Sequence, residues 1–77
     1  MTIAKVLKDK AKKRGVKQTE LAKILGISRS NLWNRFDRNS FTCEEMLKIC
    51  EHLELTIVIK DSDGAEFEIT DNYREYK

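Results

Sequence analysis

Apolar residues recur at intervals of three and four along the first two thirds of this chain, and then the interval changes to two. Ile3, Val6, Leu7 and Ala11 line one side of a helix predicted over about residues 2–13, with Lys5, Lys8, Asp9 and Lys12 opposite and Gly15 ending it. Leu21, Ile24 and Leu25 predict a second helix over 18–25, and Gly26 can end it because glycine accepts the positive φ of a helix terminus. Ser28 is a side-chain cap for a third helix reaching about Phe36 or Asp37. Thr42 and Glu45 have the spacing of a capping box, with Phe41 and Met46 at the staple positions. They open a fourth helix to about Leu53, with Met46, Leu47, Cys50 and Leu53 inward.

Beyond Leu53, Leu55, Ile57 and Ile59 alternate with Thr56, Val58 and Lys60; Asp61, Ser62, Asp63 and Gly64 supply turn chemistry; and Ala65, Phe67 and Ile69 alternate with Glu66, Glu68 and Thr70. This predicts a β-hairpin. Two strands alone are marginal in water, so the hairpin is expected to pair with its copy on a second chain or to pack on the helices. The dimer is favoured, with Leu55, Ile57, Val58, Ile59, Phe67 and Ile69 as its surface. In the tail, Tyr73 and Tyr76 either pack on the sheet or belong to a disordered end. The expected fold is mainly α, four helices and a C-terminal hairpin, with residues 1–53 as the binding unit and 54–77 as an extension of the same domain.

Charge divides the chain at the same place. Residues 1–38 hold eleven Lys or Arg against three acids, and residues 39–77 hold four against ten, so an overall charge of +2 conceals halves of +8 and −6. Lysine-rich surface helices alone would explain a basic half. Here the basic half coincides with two short helices about a Gly turn, the grammar of a helix-turn-helix, which suits a polyanion. The acidic half should then point away from it. The cluster Lys12, Lys13, Arg14 reads first as helix termination and secondly as a phosphate contact.

Other chemistry is thin. Cys43 and Cys50 stand seven apart on one predicted helix, about 10 Å along its axis, too far for a mutual disulfide. With one histidine and no CxxC or HxxxH spacing, neither a metal site nor a nucleophile–base pair is expected, and no cofactor or enzymatic activity is assigned. No apolar run reaches the length of a membrane span and the first residues lack a secretory core, so a cytoplasmic location is expected.

Gln18, Glu20, Leu21, Ala22, Leu25, Gly26, Ile27, Ser28 and Leu32 together resemble the Cro and lambda-repressor-like helix-turn-helix family over about residues 3–53. The resemblance implies a sequence-specific regulator of double-stranded DNA, with residues matching Arg29, Ser30 and Asn34 at base edges and the match to Gln18 on phosphate. Lys17 stands where that family has a Ser or Thr cap, leaving Thr19 as another candidate cap, and Arg35 stands at an often apolar position with Phe36 taking over the core contact.

At 100° per residue, Leu32 and Phe36 share the inner face of the third helix, which turns Ser30, Asn31 and Asn34 outward and leaves Arg29 and Trp33 along one edge. Arginine can pair bidentately with guanine and asparagine with adenine. The base-reading set is therefore Arg29, Ser30, Asn31, Trp33 and Asn34, although Asn31 and Asn34 also fit a plain solvated face and Trp33 also fits partial packing on the fold. Lys17, Gln18, Thr19, Arg35, Arg38, Asn39 and Ser40 form the phosphate-contacting set. The expected function is a dimeric repressor on a near-palindromic operator. The competing reading is a protein-interaction module, such as an antitoxin, that offers its hairpin strand to a partner protein.

Overall fold

A computed structural model of the protein describes residues 1–69; Thr70 and the tail with its two tyrosines lie outside the described residues. The order is α1 (Ile3–Lys13), α2 (Gln18–Leu25), α3 (Arg29–Arg38), α4 (Cys43–His52), β1 (Ile57–Lys60) and β2 (Glu66–Ile69). Thr2, Ser28 and Thr42 cap α1, α3 and α4, each hydroxyl accepting the amide N–H three residues on. The Thr42–Glu45 capping box is complete in both directions. Lys17 is the N-cap of α2 without a side-chain bond, so Thr19 does not take that role.

All four helices end alike. Val16, Ile27, Ser40 and Leu55 each donate an amide N–H back five residues, to the carbonyls of Ala11, Ala22, Arg35 and Cys50. Such a return needs a left-handed residue just before it, and Gly15, Gly26, Asn39 and Glu54 occupy those places. Two are not glycine: Asn39 at φ 52° and Glu54 at φ 58°. Asn39 carries α3 to Arg38, past the expected end, and Glu54 turns the chain so that Leu55 closes α4 and the first strand starts only at Ile57.

Leu7, Leu21, Leu32, Ile49 and Leu53 form the sealed centre, with Ala4, Ala11, Ala22, Phe36 and Cys50 around it. Small Ala22 is buried on α2, whose packing with α3 is one of the three principal helix pairs, with α1–α3 and α2–α4. Two inner faces differ from expectation. On α1, Ala4 replaces Ile3 and Val6, which stay 48% and 40% exposed; on α4, Ile49 is fully buried and Met46 only half-buried. In each case an apolar residue beside the buried row faces the hairpin end, where Met1, Ile3, Val6, Met46, Leu55 and Ile57 line one open apolar groove of about 280 Å³.

β1 and β2 pair antiparallel, with Ile57 opposite Ile69 and Ile59 opposite Phe67 on one face, and Val58 opposite Glu68 and Lys60 opposite Glu66 on the other. One Asp61 carboxylate oxygen accepts from the amides of Asp63 and Ala65, both at 2.9 Å, and so fixes the turn. Ile57 packs on the helical core, while Ile59 and Phe67 remain 57% and 52% exposed. No helix among the described residues is long and apolar enough to cross a membrane.

Candidate nucleic-acid interface

Leu32 and Phe36 are the anchors that decide which side of α3 is free: both are buried, and Phe36 also meets the Phe41 ring edge-on with centroids 5.1 Å apart. The side chains of Arg29, Ser30, Asn31 and Asn34 are exposed and make no hydrogen bond among the described residues. Trp33 is 55% exposed, so it is partly packed on the fold and partly offered outward. The five predicted base-readers therefore share an open surface on one helix.

The predicted phosphate-contacting residues divide into two groups. Lys17 and Thr19 are exposed at the start of α2, where the missing side-chain cap leaves the first amide N–H groups available to an anion. Gln18 lines a groove there with Lys8 and Lys12. The Lys8 Nζ also stands over the Phe36 ring, 6.0 Å from its centroid. Arg38 and Ser40 are also exposed beyond α3.

Arg35 and Asn39 are engaged in the fold instead. The Arg35 Nε donates to Glu45 Oε2 at 2.8 Å with both side chains largely covered, and Asn39 Oδ1 accepts the Ala4 amide at 2.8 Å, tying the end of α3 to the start of α1. Burial alone would raise the Glu45 pKa. Hydrogen bonds from Thr42 and Arg35, with the guanidinium charge, outweigh it and hold the carboxyl below the ordinary glutamate range. Arg14, from the basic cluster, meets Glu54, and His52 on α4 pairs with Glu20 on α2. Burial raises the Cys50 pKa, which favours the neutral thiol, and no three His, Cys, Asp or Glu among the described residues are grouped to hold a metal ion.

Two short helices joined through the left-handed Gly26, with Arg, Ser, Asn and Trp side chains exposed on the second and a basic start to the first, have the arrangement of a helix-turn-helix. The comparison with known families agrees: residues 3–58 match the Cro/C1-type HTH DNA-binding domain, and the chain belongs to that family. It is thus a DNA-binding regulator in its general class. No curated protein and no solved structure matches the chain.

Proposed function

We propose that the protein is a sequence-specific, dimeric repressor that lays α3 in the major groove of double-stranded DNA. The observation that carries this reading is the exposed, unpaired face of Arg29, Ser30, Asn31, Trp33 and Asn34 on a helix whose other side is sealed. Arg29 suits guanine, Asn31 and Asn34 suit adenine, and each good bidentate pair discriminates by about 1–3 kcal/mol. Trp33 meets thymine methyls or sugar. Lys17, Gln18, Thr19, Arg38 and Ser40 hold phosphates and set the register, with Lys8 and Lys12 adding to the field. Arg35 and Asn39 serve by holding α3 in place.

Dimerisation rests on the hairpin. Leu55 and Ile57 open onto the apolar groove, Ile59, Phe67 and half-buried Ile69 extend the Ile57 face of the hairpin, and Val58 stands on the other face; among the described residues Val58, Ile59 and Phe67 are left about half exposed. Two chains joined there about a twofold axis present two reading helices to half-sites roughly 34 Å apart on a near-palindromic operator. The same exposed strand favours a second reading, in which β1 extends the sheet of a different protein in an antitoxin-like role.

Fluorescence titration of a random-sequence duplex across a salt series, with the mass of the free protein from sedimentation, separates these readings. Affinity falling steeply with salt and a two-chain mass are the expected results. Salt-independent binding contradicts the DNA reading, and a one-chain mass favours the partner-protein reading.

A further inference from the structure

We propose that the Glu45 carboxylate positions the α3 reading helix through Arg35, so that a residue away from the DNA-facing surface sets the specificity of the domain. The inference rests on the DNA-binding reading above. Arg35 lies on the same helix as the base-readers, one position before buried Phe36, and its Nε reaches Glu45 Oε2 at 2.8 Å with the two side chains 30% and 15% exposed. Glu45 is itself held. Its second oxygen accepts the Thr42 amide at 2.9 Å, and its own amide donates to the Thr42 hydroxyl at 3.1 Å. The carboxylate is thereby fixed to the first turn of α4 and offers Arg35 a stationary acceptor.

This matters because of where α3 is otherwise held. Its principal packing partners are α1 and α2, while α4 packs chiefly on α2. The corner between α3 and α4 is closed by the Arg35–Glu45 pair together with the Phe36–Phe41 ring contact. Asn39 secures the far end of α3 to α1 through the Ala4 amide. A largely covered, charge-assisted bond at this corner restrains helix rotation more than an exposed pair does, and base readout tolerates little rotation because bidentate contacts are directional.

Two simple electrostatic roles predict the opposite signs. If Arg35 were a phosphate contact, Arg35→Met would lower the slope of log affinity against log salt by about one, and removing the Glu45 charge would strengthen binding to a polyanion. If Glu45 positions α3, Glu45→Gln weakens specific binding although it removes a negative charge.

The test uses the full chain and a duplex enriched from a random pool by the wild-type protein, alongside a scrambled duplex of the same length. It is run at a temperature where circular dichroism shows each variant folded. Expected are a loss of about tenfold on the enriched duplex for Glu45→Gln and for Arg35→Met, the scale of one charge-assisted hydrogen bond. Binding to the scrambled duplex and the salt slope of Arg35→Met stay at wild-type values, and the double variant is no weaker than either single. If Glu45→Gln is not fully folded, Arg35→Lys, which retains the charge but not the Nε geometry, must show the same loss of preference. Preference for the enriched duplex retained at wild-type level in these variants, or a lowered salt slope for Arg35→Met, overturns the proposal. A wild-type protein that enriches no sequence overturns the DNA-binding reading, and this inference with it.

Discussion

The helical body and the hairpin bury their apolar residues in different ways. In the body, Leu21, Leu32, Ile49 and Leu53 are sealed at 0% exposure, and the charged residues lie outside. In the hairpin, among the described residues, Ile57 is packed against that core, as Leu55 is just before the first strand, while Val58, Ile59 and Phe67 remain about half exposed. The body is a finished globule that turns the polar side of α3 outward. The hairpin has the alternation of a sheet with an inner face, but among the described residues nothing covers the outer half of it, the pattern that the proposed association would complete.

The largest effect that could break this contrast comes from the body. Leu32→Ala removes a fully buried side chain between the reading surface and the core, and should cost about 2–5 kcal/mol in denaturant unfolding. A loss below about 1 kcal/mol would mean that α3 is loosely seated. Phe67→Glu, on the exposed half of the hairpin, should leave the helical circular dichroism intact and shift the sedimenting mass from two chains to one. Loss of helix instead would place Phe67 in the stability of the body.

Much of the body was legible because its signals are local. Gly26, Ser28 and the Thr42–Glu45 box act within one helical turn, so spacing alone locates them. The missed features depend on residues distant in sequence or on a neighbouring side of a helix. Asn39 reads as a phosphate contact beyond α3 until the fold brings the Ala4 amide, 35 positions earlier, to its side-chain oxygen. Arg35 reads as a free cation until α4 delivers Glu45. Ile3, Val6 and Met46 have the right period for a core but sit one step around their helices from the buried row. Glu54 carries no sequence signal for the left-handed conformation that it adopts.

Within the reading surface, Asn34→Ala should flatten preference at a single base position by about 1–3 kcal/mol in base-by-base titrations, while Arg38→Ala should weaken all sequences alike and reduce the salt slope by about one. An unchanged profile for the first or an unchanged slope for the second removes that assignment. At the boundary of the two regions, Glu54→Gly relieves a left-handed non-glycine residue and should stabilise the protein by up to about 1 kcal/mol, read as a raised unfolding midpoint. A lowered midpoint would show that the exposed Arg14–Glu54 pair outweighs the backbone cost.

Acid supplies the smallest effect. Because the Glu45 pKa is lower folded than unfolded, its contribution is present above the ordinary glutamate value of 4.5 and is lost as pH falls through the depressed folded value. Stability measured from pH 6 to pH 3 should therefore fall less steeply for Glu45→Gln than for wild type; parallel curves would deny that the carboxylate is held by Thr42 and Arg35.

Selection of random-sequence duplex DNA by the purified protein at moderate salt, followed by sequencing and by the mass of the bound species, tests the central claim most directly. An enriched near-palindrome occupied by two chains is the predicted result. Even recovery of all sequences would contradict sequence reading by α3.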